Sequence, residues 1–178
     1  LGLRGLLSFG AEDMHADVLP ETADVLREQE AYAGYIQSAP DHLRFALGIG
    51  TVIGQSDRLF KASIEAARSN RWPVHTHLAE VREEKVAARL RWGRSTVEQA
   101  AKTGLLNLDV IAGHGIWITP EEIRLLAEHG TVIIHNPQAN MILGSGVCPL
   151  RQLETAGLPL GLGTDGAASN DSHNMIEV

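Results

Sequence analysis

Cysteine is nearly absent: Cys148 stands alone, so no disulfide can form within the chain, and such usage suits a reducing cytosol. Aromatic residues make up only 4%, and no apolar run is long enough to cross a bilayer although 44% of the residues are hydrophobic. Basic clusters are missing as well. The net charge is −7, which argues against nucleic acid or an anionic membrane as a partner. There is no initiator Met. The opening stretch Leu1-Gly2-Leu3-Arg4-Gly5-Leu6-Leu7 is too short for a signal-peptide core and no cleavage site follows it, so these residues are expected to lie inside a longer chain. No linker, low-complexity tract or second domain interrupts the 178 residues, a length that suits one domain. A complete eight-stranded α/β barrel typically needs about 250.

What the chain does have is an alternation of short apolar runs and amphipathic stretches. Strands are expected at Leu3 to Phe9, Leu43 to Ile49, Pro73 to Leu78, Asp109 to His114, Thr131 to His135 and Leu158 to Thr164. Helices are expected from Pro20 to about Ser38, after the Ser56 cap to about Ser69, from Val81 to about Trp92, from Ser95 to Gly104, after Thr119-Pro120-Glu121-Glu122, and from Pro149-Leu150 to near Gly157. Ser95 with Glu98, and Thr119 with Glu122, have the spacing of capping boxes. Asn136 to Val147 reads as a long polar loop. Repeated β-α units imply a parallel sheet with right-handed crossovers, either open or part of a (β/α)8 barrel.

Eight histidines are many for this length, and their positions matter. His77 ends the third strand, His114 the fourth, His135 the fifth, and Asp165 follows the sixth. Folds of this class place ligands and catalysts at the C-terminal ends of their strands. Buried strands usually finish on apolar residues or Gly, so three histidines and an acid in register point to a site. Imidazole and carboxylate together suit Zn²⁺ and similar divalent ions. Water on such an ion has a pKa of about 7 and becomes a hydroxide nucleophile. His75 shares a face with His77 but lies a layer deeper, where a hydrogen-bonded structural histidine is expected. Glu80, three residues past His77, can carry a proton at the site or simply favour a helix N-terminus. Gly161, Gly163 and Gly166 lack the following Lys-Ser/Thr of a phosphate loop.

The motifs His75-Thr76-His77-Leu78-Ala79-Glu80, Gly113-His114-Gly115-Ile116-Trp117, His135-Asn136-Pro137-Gln138-Ala139-Asn140, Gly144-Ser145-Gly146 and Gly163-Thr164-Asp165-Gly166-Ala167-Ala168-Ser169-Asn170 occur in that order. In this the chain resembles the metal-dependent amidohydrolases, in the branch of S-adenosylhomocysteine/methylthioadenosine deaminases and triazine or chlorohydrolase-type enzymes related to cytosine and guanine deaminases. The resemblance covers roughly residue 43 to the end and, more weakly, the start. It implies an α/β fold of the (β/α)8 TIM-barrel, metal-dependent hydrolase type, with about six of eight β/α units in the chain. Residues 1–178 would then be a partial catalytic barrel domain, strands three to eight, without the first two units and a flanking β domain.

By resemblance His77 and Asp165 are metal ligands, and Glu80, His114 and Asp165 are catalytic. Glu80 corresponds to a proton shuttle, His114 orients the nucleophile or substrate, and Asp165 also takes the water proton. Trp117, His135 and Asn140 would contact or shape the substrate. The implied cofactor is one divalent ion, zinc or alternatively iron. The implied partner is a small N-heterocycle of purine, nucleoside, pterin or triazine type, with self-association into a homo-oligomer left open. The activity implied is hydrolytic deamination by metal-bound hydroxide, in a cytoplasmic enzyme. Dechlorination of a chloro-triazine would follow the same attack. A family strand-one His-x-His pair is not among these residues, so an inactive partial chain or a metal-free binding module is the competing expectation. Gln138-Ala139 also replaces the Ser that relatives often carry before the Asn.

Overall fold

A computed structural model describes residues 3–14, 21–170 and 172–176. The strands are β1 (Gly5–Ala11), β2 (Leu43–Thr51), β3 (Val74–Leu78), β4 (Val110–His114), β5 (Val132–His135) and β6 (Leu160–Leu162), in that order along one sheet. The helices are α1 (Thr22–Gln37), α2 (Asp57–Asn70), α3 (Arg82–Trp92), α4 (Thr96–Thr103), α5 (Pro120–Glu128), α6 (Pro137–Leu143) and α7 (Leu150–Thr155). The chain divides into two compact units, Leu1–Thr76 and His77–Val178.

In the first unit β1 runs parallel to β2, with Gly5 opposite Leu43 and Ala11 opposite Ile49. Gly48 is required because any Cβ there would overlap the Phe9 carbonyl. Helix α1 is fastened to both strands by the buried Gln29, whose Nε2 donates to Phe9 O at 2.8 Å and Gly48 O at 2.7 Å. Ala11, Val25 and Leu59 form a core with Phe9 and Leu26 against it. In α2 the helically spaced Leu59, Phe60, Ile64 and Ala67 are all buried, and the Ser56 hydroxyl accepts the Leu59 N–H. Strand β2 runs two residues past the expected Ile49. Glu12 Oε1 accepts the Thr51 N–H at 2.7 Å and its hydroxyl at 2.8 Å, which holds that end extended. The expected helix start at Pro20 lies outside the described residues; the helix is seen from Thr22.

In the second unit β4, β5 and β6 are parallel neighbours, Ile111 facing Val132 and Ile133 facing Leu160. Both capping boxes are present, Ser95 with Glu98 and Thr119 with Glu122. Two expectations need correction. Asn136 to Val147 is not all loop, because α6 occupies its first half. Pro137 presets the first helical turn, Asn140 N–H donates to Asn136 O, and Gly144 at φ 65° ends it. Strand β6 is only three residues long, Leu160–Leu162, where Leu158 to Thr164 was expected. Gly163 still donates to His135 O at 2.9 Å, but Asp165 then turns the chain with φ 63°.

Candidate metal centre and active site

The site grows from three strand ends that break the extended backbone. Ala79, just past β3, has φ 52°, His114 at the end of β4 has φ 74°, and Asp165 beyond β6 has φ 63°. Left-handed backbone is costly for residues with a Cβ, about 1–3 kcal/mol each, and it persists where the surroundings hold it in place. Here it redirects side chains from the ends of the strands to a common point.

The nitrogen and oxygen atoms of His77, His114 and Asp165 lie within 4.8 Å of one another. His77 Nε2 is 3.7 Å from Asp165 Oδ1, and His114 Nε2 is 3.9 Å from Asp165 Oδ2. Zinc bonds to imidazole nitrogen and carboxylate oxygen are about 2.0–2.2 Å, so two ligand atoms about 3.4 Å apart can share one tetrahedral ion. The His77–Asp165 separation is close to that, and the donor set of two imidazoles and a carboxylate suits zinc. Glu80 Oε2 lies 3.7 Å from His114 Nε2, on the rim of the same cluster.

Behind these groups is a second set of contacts. His114 is fully buried, and its Nδ1 lies 2.9 Å from Asn140 Oδ1. A carbonyl oxygen only accepts, so in this contact Nδ1–H donates to Asn140, while the Nε2 edge of the ring faces Glu80 and Asp165. Asn136 Nδ2 lies over the same ring, 3.4 Å from Nε2. Gly163 makes room for Asn136, since a Cβ there would collide with the Asn136 amide oxygen. Ser169 donates its hydroxyl to Asp165 Oδ2 at 2.9 Å, leaving Oδ1 turned to His77.

The other expected site residues are placed as follows. Asn140 is 3% exposed, buried behind His114. Among the described residues its Nδ2 has no hydrogen-bond partner. Trp117 is partly exposed, donates Nε1–H to Ser145 O at 2.7 Å, and donates its backbone N–H to Ala79 O. His135 accepts from Gly163 through its carbonyl. Burial, with the nearby His114 adding to it, holds its imidazole below the usual histidine range. His75 sits in the first unit with its Nδ1 3.2 Å from the Ser8 hydroxyl. Asn136 and Ser169 lie within the expected motifs but had no role assigned, and Glu84 was not expected at the site. Asn136 and Ser169 follow His135 and Asp165 by one and four positions.

A strand-end cluster of two imidazoles and a carboxylate has the donor set to hold a divalent ion. The whole of residues 1–178 matches the family model for the amidohydrolase family, and the chain belongs to that family. It is 36% identical to a 5-methylthioadenosine/S-adenosylhomocysteine deaminase from Thermococcus sibiricus, the match covering 99% of this chain and 42% of the relative. It is also 36% identical to an 8-oxoguanine deaminase from Pseudomonas aeruginosa, over 97% of this chain and 40% of the relative. The crystal structure of an adenosine deaminase from Xanthomonas campestris with bound zinc superposes with a TM-score of 0.90 at 27% identity, over 98% of this chain and 39% of that one. The chain thus spans about 40% of the length of the curated relatives it matches.

Proposed function

We propose that the protein containing these residues is a metal-dependent aminohydrolase that removes an amino group from an aromatic N-heterocycle of purine or nucleoside type. The observation that carries this reading is the convergence of His77, His114 and Asp165 within 4.8 Å, with Glu80 3.7 Å from His114. The deaminases among its relatives support the choice of reaction and substrate class.

His77 Nε2 and Asp165 Oδ1 would hold the ion, with His114 beside it, and the strand-one His-x-His of the (β/α)8 barrel would complete the ligand set. When bound, zinc supplies a Lewis acid and a water acidic enough to act as nucleophile near neutral pH. His114, held at Nδ1 by Asn140, presents its Nε2 edge to the centre and aims the attacking water. Asp165 Oδ2 takes the water proton, while Ser169 keeps that carboxylate in orientation. Glu80 Oε2 delivers a proton to the ring nitrogen next to the amine-bearing carbon. A C–O bond forms at that carbon, the C–N bond breaks, and ammonia leaves with a proton passed through the same two carboxylates.

The test is ammonia release by the whole, zinc-loaded protein across adenosine analogues, guanine-type bases, pterins and amino- or chloro-triazines. Deamination of a purine or nucleoside is expected, and Glu80→Gln should reduce kcat by at least about a hundredfold while zinc stays bound. His77→Ala should instead lose the zinc. Release of chloride without ammonia, or a Glu80→Gln enzyme within tenfold of wild type, would sink the assignment.

A further inference from the structure

One buried acid near the site has no part in the chemistry above. Glu84, in the first turn of α3, is 7% exposed. Its Oε1 accepts the Ala79 N–H at 3.0 Å and its Oε2 accepts the Glu80 N–H at 2.9 Å. The Thr96 hydroxyl donates to it as well. Burial pushes the carboxyl above its ordinary range despite these three donors. An acid that is costly to bury is retained where its hydrogen bonds do something an apolar residue could not.

Those bonds are not an ordinary helix cap. The N-cap of α3 is Val81, whose side chain cannot accept a hydrogen bond. Glu84 reaches past it to the two preceding residues. One of them, Ala79, is left-handed at φ 52°. The other is Glu80, whose Oε2 lies 3.7 Å from His114 Nε2. On the opposite side, Ala79 O accepts the N–H groups of Ile116 at 3.0 Å and Trp117 at 2.9 Å, and Leu78 O accepts that of Gly115 at 3.0 Å. The 78–80 backbone is therefore gripped from both sides, by the loop after His114 through its carbonyls and by Glu84 through its N–H groups.

We propose that Glu84 is a positioning residue for Glu80: its two-pronged grip on the Ala79 and Glu80 amides holds the strained turn that aims the Glu80 carboxylate at the reacting centre. The role rests on the aminohydrolase reading, in which Glu80 moves the proton. Gln at position 84 keeps one acceptor oxygen and loses the other, so the turn is released on one side. Because Glu84 acts through Glu80, its effect depends on the Glu80 carboxylate.

The experiment is a double-mutant cycle in the whole zinc-loaded protein, with Glu84→Gln, Glu80→Gln and both together. Glu84→Gln should reduce kcat about tenfold or more, leave KM within about threefold and leave zinc content unchanged. In the Glu80→Gln background the same change should cost less than about twofold. A Glu84→Gln enzyme within twofold of wild-type kcat overturns the proposal, as does a loss that multiplies fully with that of Glu80→Gln, since that is the mark of a general packing role. If Glu84→Gln does not fold, Thr96→Val removes one support of the carboxylate at nearly constant volume. It should lower kcat in the same KM-neutral, Glu80-dependent way, and an unchanged kcat counts against the clamp. A wild-type protein that releases ammonia from no substrate overturns the aminohydrolase reading itself, whereas an active wild type with a neutral Glu84→Gln overturns only the clamp.

Discussion

Asn140 Oδ1 and His114 Nδ1 are 2.9 Å apart in a buried setting, and this contact holds the imidazole with its Nε2 edge toward Glu80 and Asp165. The two residues come from different β/α units, α6 and the end of β4. Without the Asn140 oxygen the ring could take either tautomer, and one of them would turn an N–H toward Glu80 and Asp165.

Asn140→Ala should therefore lower kcat/KM by about ten- to a hundredfold, the usual effect of losing a group that orients a histidine at a metal site. Asn140→Asp keeps the acceptor and should recover most of the activity at the pH optimum. Steady-state kinetics on a deaminated substrate check this. Equal activity of the Ala variant and wild type would show that the tautomer is set by something else.

Much of the site was legible because its main residues occupy positions with a simple rule behind them. His77, His114 and Asp165 follow apolar runs, and runs of that kind end where parallel α/β folds keep their chemistry. The capping boxes at Ser95 and Thr119 were legible for a different reason: both partners lie within four residues, so local spacing determines the contact. What stayed hidden depends on tertiary geometry. Nothing in the spacing shows that Asn136 and Asn140 flank one imidazole, or that Glu84 reaches past its own N-cap. The left-handed backbone at His114 and Asp165 had a partial signal, since each precedes a Gly. For Asp165-Gly166 that pair was as compatible with an ordinary surface turn as with a ligand. Helix α6 was missed because Asn, Pro, Gln and Gly dominate the window, and only Pro at the first helical position turns that composition into a helix start.

Cys148 offers a test of packing independent of catalysis. It is buried with its Sγ 3.8 Å from Gly115 O, and burial pushes its thiol up to about 11. At pH 8 only about one molecule in a thousand would carry the reactive thiolate. Labelling by an alkylating reagent at pH 8 should be slow in the folded protein and complete within minutes in urea. Rapid labelling without denaturant would mean that the loop after His114 is open where the structure closes it.

Asp13 links the end of β1 to the start of α2 within the first unit, and it predicts a specific dependence of stability on pH. Its Oδ1 accepts the Ser56 N–H at 2.6 Å, and its Oδ2 accepts the Ser56 hydroxyl at 2.6 Å and the Thr22 hydroxyl at 2.9 Å. Partial burial pushes the carboxyl up, but the bonds from Ser56 and Thr22 outweigh it and hold the group below its ordinary value of 3.8. A carboxyl depressed in the folded state binds fewer protons there than in the unfolded chain. Its stabilisation is thus complete above the ordinary carboxylate range and is lost as pH falls through the folded value. Asp13→Asn keeps one acceptor and loses the charge, which should cost about 1 kcal/mol at pH 7, at the low end for charged hydrogen bonds because the group is partly exposed. The Ser56 hydroxyl also accepts the Leu59 N–H, so part of that cost should appear as fraying of the first turn of α2. Urea melts of the two proteins should differ at pH 7 and converge as the pH is lowered below about 3.8, where Asp13 in the unfolded chain has taken up its proton. A difference that stays constant across that range would show that the carboxylate is not what holds Ser56 and Thr22 in place.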